Sequence, residues 1–416
     1  MTLFCSDTGI FKWKWNGTLS FVGLATDDML HFTTDRAAFL HLREEISTLF
    51  KVTSQEGPLL RFLNFRIIQS PTCITLDQTE HIVENVTGPY FKDRTPPRFQ
   101  STPWPVVNTF EKDLYSSLPL TGQKKLDIER RYRGSLYKHG GTLMHIQTYS
   151  RPDIAYSTCR ISGYMANPIE PAFRGMDQTY NYLYHFPHIP FCYPKRPLGN
   201  DPITCHWGKG SAEIMHDDLP CQLINFNDAD HARDLINRRS TTVTLHFLNK
   251  VLVAWYIGKQ LESALHSTIS ELNALTSGAK STLHYRNVIL DFEVPLRSAT
   301  PTGEDNAGTL NLTLNNKLSR NIRHEAVKVR FLHNLYLTGS IAPFYTKTNL
   351  MPADPGTKPL TGRKQYKHLC VWFGVAYYPR EGTKHHALLT ETHPLSLVAF
   401  NPDAEAVDDA PLPAAP

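Results

Sequence analysis

The stretch LINFNDADHARDLINRRST (223–241) decides how the rest of the chain is interpreted. Its apolar run ends at Asp228 and Asp230, and an Arg–Arg–Ser–Thr cluster follows soon after. The run predicts a buried strand with a polar end. A simple loop would explain the two aspartates, whereas a metal-ion site facing a polyanion would explain the aspartates and the arginines together.

Composition narrows the class of protein. The 416 residues are 41% hydrophobic and 20% charged, which is a globular balance and enough chain for two or three domains. The net charge of +4 does not by itself argue for nucleic acid, but basic residues are concentrated in GQKKLDIERRYRG (122–134). Acidic residues gather in the Pro/Ala-rich tail, which is predicted to be disordered.

Neither a disulfide framework nor a zinc site is indicated, because the seven cysteines are odd in number and form no Cys-x-x-Cys pair. No segment is apolar over a membrane-spanning length, and the N-terminus lacks a signal-peptide pattern. We therefore predict an intracellular protein, in a cytoplasmic particle or the nucleus, with no membrane partner.

Periodicity and turn residues predict an α/β (α+β) chain whose third segment begins with antiparallel strands. The predicted elements are a hairpin at Asn16–Gly17, a helix over 36–52, strands within 59–77, a helix near 78–90, a helical block over 125–186, strands near 222–227, 240–248 and 251–257, and a helix at 268–282. Pro-rich stretches at 93–122 and 185–202 interrupt this order, and the second is typical of a domain linker.

Four acids in the last part of the chain have an ordinary and a chemical explanation. Asp228 could close a strand-end turn, and Glu271 could complete a capping box with Thr268. Asp305 and Asp354 lie in turn-like sequences. Taken singly, each ordinary explanation is favoured, because catalytic acids are a minority of all acids.

Taken jointly, the four acids could converge on one side of a mixed sheet. Carboxylates held together repel one another, and divalent cations make such an arrangement tolerable. Two cations about 4 Å apart can activate water and stabilise the leaving oxygen of a phosphodiester. The joint pattern therefore indicates a metal-dependent site.

The same region resembles the ribonuclease H domain of copia-type LTR retrotransposons. The motifs that carry the resemblance, in the order of that family, are NDAD (227–230), RRST (238–241), VAWYIGKQ (253–260), HSTISE (266–271), EDN (304–306), RH (323–324) and ADPGTKPL (353–360). Three positions depart from the pattern: Ile269 replaces a usual acid, Ala326 a frequent Asp and Gly303 a usual apolar residue. Because glycine weakens a strand, Gly303 could misplace Asp305.

The resemblance implies a site with two Mg²⁺ or Mn²⁺ ions. The implied metal-binding acids are Asp228, Glu271, Asp305 and Asp354, with His324 as a further catalytic residue. The residues expected to contact nucleic acid are Arg238, Arg239, Ser240 and Lys358, together with the basic cluster of Lys124, Lys125, Arg130, Arg131 and Arg133. The implied reaction is hydrolysis of the RNA strand of an RNA–DNA hybrid.

The first half of the chain resembles reverse transcriptase. In ATDDM (25–29), Asp27 and Asp28 resemble the palm acids that bind the polymerase metals, although two adjacent aspartates would ordinarily mark a hairpin turn. FLNFRIIQS (62–70) resembles the primer grip, and RPDIAY (151–156) resembles the block before ribonuclease H. Only 26 residues precede Asp27, so we expect no DNA synthesis without the missing N-terminal half of Pol, a candidate partner.

The resemblance also implies a domain order. The predicted domains are a truncated reverse-transcriptase palm with primer grip and start of thumb (1–92), a helical thumb and connection (93–202), an RNase H-like domain with a mixed five-stranded sheet and flanking helices (203–380), and an extension with a disordered end (381–416). Two alternatives to an active nuclease remain open. One is a decayed copy that binds nucleic acid without cutting it, and the other is a host protein that uses the fold as an interaction module.

Overall fold

The computed structural model describes residues 2–374, apart from 195–221 and short gaps at 55, 57–60, 72, 96, 235–236, 250, 297, 319 and 361. The predicted extension at 381–416 and its disordered end lie outside the described residues, as does the second half of the Pro-rich stretch at 185–202.

An antiparallel sheet covered by one helix begins the chain. Its elements are β1 (Thr2–Leu3), β2 (Ile10–Trp15), β3 (Thr18–Ala25), β4 (Asp28–Phe32) and α1 (Arg36–Ser47). The predicted hairpin at Asn16–Gly17 is confirmed, because Trp15 pairs with Thr18 and the two turn residues have φ angles of 46° and 84°. Asp35 starts the helix by accepting a hydrogen bond from the Ala37 amide.

A second antiparallel sheet draws its strands from two distant parts of the chain. Its elements are β5 (Arg61–Phe62), β6 (Phe65–Gln69), β7 (Cys73–Asp77) and β8 (Phe191–Pro194), and after β7 come α2 (Thr79–His81), a π-helical stretch (Ile82–Thr87) and α3 (Gly88–Phe91). Strand β8 lies within the stretch predicted to be a linker. Part of that stretch is therefore built into a sheet.

The helical block predicted for 125–186 is present, with helices α5 (Gly122–Arg131), α6 (Leu136–Tyr149), α7 (Ala155–Ser162) and α8 (Glu170–His185). It is preceded by α4 (Asn108–Ser116), a helix within the Pro-rich stretch at 93–122. Trp104 is buried against α8 at Gly175, where a Cβ atom would lie 2.5 Å from the indole ring. The glycine thus makes room for the largest side chain of this core.

A mixed five-stranded sheet forms the last part, as predicted. The strands are β9 (Leu223–Ala229), β10 (Thr241–Leu248), β11 (Val251–Lys259), β12 (Thr300–Glu304) and β13 (Ile341–Tyr345), in the order β11-β10-β9-β12-β13. The first three are antiparallel, and β12 runs parallel to both β9 and β13. The carboxyl ends of β9 and β12 therefore meet at one edge, where NDAD and EDN both lie.

Helices cover both faces of this sheet. They are α9 (Ser267–Asp291), α10 (Ala307–Asn315), α11 (Ala326–Leu337), α12 (Asp354–Thr357) and α13 (Gly362–Phe373). On one face Gly278 of α9 lies against Asn225 and Asn227, and on the other Gly356 of α12 lies against Val243. Residues of β9 thus alternate between two buried faces.

None of the helices within the described part of the chain is both long enough and apolar enough to span a lipid bilayer.

Candidate metal centre

Asp228 lies near the end of β9 and is 2% exposed. Its Oδ2 accepts a hydrogen bond of 2.5 Å from the Thr357 hydroxyl of α12. Burial, and then the neighbouring carboxyls of Asp354 and Asp305, raise the pKa of Asp228 to about 7, although Lys358 and Thr357 oppose the shift. The first of the four acids is therefore a buried carboxyl held by a neighbouring element.

Glu271 lies in the second turn of α9, because the helix begins at Ser267. The capping-box explanation is wrong, since His266 is the N-cap and no side chain caps the helix. The Glu271 carboxylate instead accepts a hydrogen bond of 2.8 Å from the backbone amide of Ala229, directly after Asp228. Burial and the carboxyls of Glu304 and Asp228 raise the pKa of Glu271 to about 11.

Asp305 follows β12 directly, and it is Asn306, not Asp305, that caps α10 by accepting a hydrogen bond from the Thr309 amide. Gly303 does not misplace it. A Cβ atom at position 303 would lie 2.4 Å from the ring of Phe226, so the glycine lets β12 pack beside that buried phenylalanine. Gly303, which was expected to weaken the strand, is needed here because any larger residue would clash with Phe226.

These acids meet although they are distant along the chain. Carboxylate oxygens of Asp228, Glu271 and Asp305 all lie within 4.8 Å of one another, and such a group could hold a metal ion. Asp354, the first residue of α12, borders the group and interacts electrostatically with Asp228 and Asp305. Its Oδ1 accepts a hydrogen bond of 2.6 Å from Lys358 Nζ.

Comparison with known proteins shows distant similarity to Pol polyproteins of transposons. No family model matches it. Over 374 residues, 90% of the chain, it is 23% identical to a retrovirus-related Pol polyprotein from transposon RE1 of Arabidopsis thaliana and 22% identical to that from transposon RE2 of the same plant. It is 23% identical over 343 residues to the corresponding protein of transposon TNT 1-94 of Nicotiana tabacum. The chain is thus similar over most of its length to transposon Pol polyproteins, which supports its resemblance to the copia type.

The relatives are much longer than the part matched. The Pol-related chain spans 23% of the length of each of these three polyproteins. A shorter match, 26% identical over 140 residues, is to a secreted RxLR effector protein of Plasmopara viticola, of which it covers 83%.

Three residues beside the acids were not among the predicted site residues. Glu304 precedes Asp305 and is fully buried, and Thr357 lies within ADPGTKPL and holds Asp228. Asn227 precedes Asp228 and is fully buried as well. All three lie inside recognised motifs of the Pol-related chain. Their adjacency to the acids was the only sequence signal for them.

The loop after NDAD has a structural part and an exposed part. Asp230 Oδ1 accepts a hydrogen bond of 2.6 Å from the Thr241 amide, so this aspartate joins the ends of β9 and β10. Ser240, predicted to contact nucleic acid, is fully buried and accepts a hydrogen bond from the Ala232 amide. Arg238 and Arg239 are exposed and can reach a ligand in solution.

The other predicted nucleic-acid contacts lie on or next to α5. Lys124, Arg130 and Arg131 are exposed, and Lys125 is half-buried. Arg133 is exposed too, but its guanidinium donates hydrogen bonds to the backbone carbonyls of Pro89 and Lys92. The cluster therefore presents charge to solvent, with Arg133 partly engaged in joining α3 to α5.

His324 and the aspartates of ATDDM lie apart from the three-acid group. His324 is exposed in a 3₁₀ turn, and its Nε2 lies 3.6 Å from Glu325 Oε1. Asp27 and Asp28 are exposed at the β3–β4 hairpin, where Thr26 takes a positive φ of 53° in place of the usual Gly or Asn. Within the described residues, neither aspartate belongs to a group of three metal-ligating side chains.

Proposed function

We propose that this Pol-related chain carries an RNase H-type nuclease that hydrolyses the RNA strand of RNA–DNA hybrids. The single observation that carries the proposal is the meeting of Asp228, Glu271 and Asp305 within 4.8 Å at the end of the two parallel central strands. Asp354 at the start of α12 supplies the fourth acid. We assign the nuclease to the mixed sheet and its helices, the region predicted as an RNase H-like domain.

The residues present fit Mg²⁺ or Mn²⁺. All the donors are carboxylate oxygens, which hard divalent cations prefer over nitrogen or sulfur ligands. Burial and mutual repulsion raise the pKa values of Asp228, Glu271 and Asp354, so the ionised site needs compensating positive charge. Two bound ions would activate the attacking water and stabilise the departing 3′ oxygen.

The chain itself supplies the arrangement of the acids. The Thr357 hydroxyl holds Asp228, and the Ala229 amide holds Glu271, so the two carboxylates keep their positions relative to β9. Lys358 lies beside Asp354, where it can approach a phosphate oxygen of the substrate. Exposed arginines at 238 and 239 extend the positive surface for the nucleic-acid backbone.

One observation favours a second candidate, a protein that binds nucleic acid without cutting it. The ion pair between Lys358 Nζ and Asp354 Oδ1 balances the charge of the fourth acid without a metal ion. Burial opposes the charge on Lys358, but the carboxylates of Asp228 and Asp354 outweigh burial and raise the pKa of this lysine, which stays protonated. In this alternative the basic surface remains and the hydrolysis is lost.

Replacing Glu271 by Gln separates the two candidates. With a labelled RNA–DNA hybrid and Mg²⁺, the unmodified chain should cleave the RNA strand, and a chelator should stop the cleavage. E271Q should lower the cleavage rate by at least about 100-fold, because it removes a charge that holds the cation, and should bind the hybrid as before. The control E293Q alters an exposed acid paired with Lys12 and should cleave normally.

Two results would contradict the proposed nuclease. A well-folded chain that binds the hybrid and cleaves nothing at any Mg²⁺ or Mn²⁺ concentration would establish the binding protein. Equal binding affinity for the RNA–DNA hybrid and for duplex DNA would exclude the hybrid as the preferred substrate. Recognition of RNA depends on the 2′-hydroxyl and the wide minor groove.

A further inference from the structure

Two buried asparagines of β9 form a chain of amide hydrogen bonds with a fixed direction. Asn225 Nδ2 donates to the carbonyl of Leu245 at 3.1 Å, and Asn227 Nδ2 donates to Asn225 Oδ1 at 2.6 Å. The Leu245 carbonyl can only accept, so Asn225 must direct its NH₂ group toward it and its oxygen toward Asn227. Asn227 must therefore present its oxygen, and this Oδ1 is buried with no hydrogen-bond partner within the described part of the chain.

A second orphan oxygen lies on the neighbouring strand. Thr302 and Gly303 of β12 pair with Asn225 and Phe226 of β9, and Glu304 and Asn227 are the next residues along the two parallel strands. Glu304 is fully buried. Its Oε1 accepts a hydrogen bond of 3.1 Å from the Asn306 amide, while its Oε2 has no partner among the residues that the structure describes.

The surroundings of Glu304 are negative. The carboxyls of Asp305 and Asp228 act on Glu304, and Glu304 is in turn the strongest charged neighbour of Glu271. Burial and these carboxyls raise the pKa of Glu304 well above its usual range. Two buried acceptors without a donor are costly, and buried oxygens of this kind normally have a partner.

We propose that Glu304 Oε2 and Asn227 Oδ1 are additional ligands of a divalent cation that Glu271 also binds, on the inner side of the three-acid group. The site is a hard-oxygen site for Mg²⁺ or Mn²⁺, made of two carboxylates and one amide carbonyl. The inference deepens the proposed metal centre and rests on it. It adds two ligands that the four-acid motif pattern does not contain.

Metal binding by the full chain tests the inference without reference to cleavage. Mn²⁺ affinity is measured by electron paramagnetic resonance, and thermal unfolding is followed in EDTA and in Mg²⁺. E304Q should weaken Mn²⁺ binding by about 10-fold or more and should reduce the rise in Tm on adding Mg²⁺. The matched control E325Q alters an acid paired with Lys328 and should bind Mn²⁺ like the unmodified chain.

The main rival is a proton shared between Glu304 and Asn227. The E304Q variant would imitate that state permanently, because the amide N–H of the introduced glutamine can donate to Asn227 Oδ1. If E304Q raises the Tm in EDTA and leaves the Mn²⁺ affinity unchanged, the cation proposal is overturned while the three-acid site survives. If the unmodified chain shows no response to either metal, the metal centre and this inference fail together.

A second substitution tests the same proposal if E304Q folds poorly. Asn227→Asp has nearly the same shape and adds a carboxylate where the cation is proposed. It should lower the Tm in EDTA, because it adds repulsion, and enlarge the metal-dependent rise in Tm beyond that of the unmodified chain. A rise no larger than that of the unmodified chain overturns the proposal.

Discussion

The molecule buries charge in two regions, and the two are balanced differently. In the helical block, Arg151 and Asp153 are both almost fully buried and form two hydrogen bonds with each other, of 2.9 and 2.7 Å. Tyr182 donates a further bond to Asp153, and Arg151 donates one to the Phe186 carbonyl. Positive and negative charge are equal there, and both groups are held by several partners.

The edge of the mixed sheet has the opposite balance. Asp228, Glu271 and Glu304 are buried there with Asp305 and Asp354 beside them, and Lys358 is a cationic side chain that interacts with three of these acids, Asp228, Asp305 and Asp354. A balanced buried pair joins elements of the fold. An excess of buried carboxyls destabilises the fold unless protons or cations compensate it, and such an excess is typical of functional sites.

The largest effect that tests this comparison is expected in the balanced region. Arg151→Met should lower the free energy of unfolding by about 3–5 kcal/mol, because it leaves Asp153 with a buried charge and no cation. The midpoint of urea unfolding measures the loss. Arg174→Met removes an arginine from α8 whose pair with Asp113 is about half exposed, and it should cost less than about 1 kcal/mol. Equal losses of unfolding free energy in the two variants would show that the buried pair is no more important for stability than the half-exposed one.

A smaller effect should appear as a pH dependence of the unbalanced region. Burial keeps a proton on Asp228 to about pH 7 in the metal-free folded chain, whereas the unfolded chain releases it near 3.8. Between these values the folded state binds more protons than the unfolded state, so stability falls as pH rises. From pH 5 to 7 this group alone accounts for a loss of up to about 2–3 kcal/mol.

Urea unfolding in EDTA at several pH values measures this slope. Asp228→Asn should make the loss with pH shallower, and Mg²⁺ should restore stability at pH 7 in the unmodified chain but not in the variant. Asp113→Asn, which alters an acid whose side chain is about half exposed, should keep the original slope. An unchanged slope in the Asp228 variant would mean that its carboxyl is not a source of the imbalance.

The smallest expected effect concerns the hydroxyl that holds Asp228. Thr357→Val keeps the shape of the side chain and removes the donor to Asp228 Oδ2, so Mn²⁺ affinity should fall by about 10-fold (roughly 1.4 kcal/mol) while the fold is retained. Thr357→Ser should restore the affinity. Thr313→Val provides a control, because that buried hydroxyl donates only within α10. Equal affinities for the Val and Ser variants would show that packing, not the hydroxyl, is what position 357 contributes.

Local pattern predicted much of the fold. The runs near 222–227, 240–248 and 251–257 are β9, β10 and β11, and the helix predicted at 268–282 is the first part of α9, which continues to Asp291. Strand β12 was harder to predict because TPTGE contains few β-forming residues. Its place in the sheet depends on the fit of Gly303 against Phe226, a contact between distant parts of the chain.

The sequence by itself determined which acids could matter and in what order they occur, because strand ends and motif spacing are local properties of the chain. Tertiary structure alone decided which of them share one space. It brought Glu271 to the Ala229 amide and Thr357 to Asp228, paired Gly303 with Phe226, and buried Ser240. Periodicity along a strand specifies a face of the sheet, whereas the partner on that face is set by the packing of segments far apart in the chain.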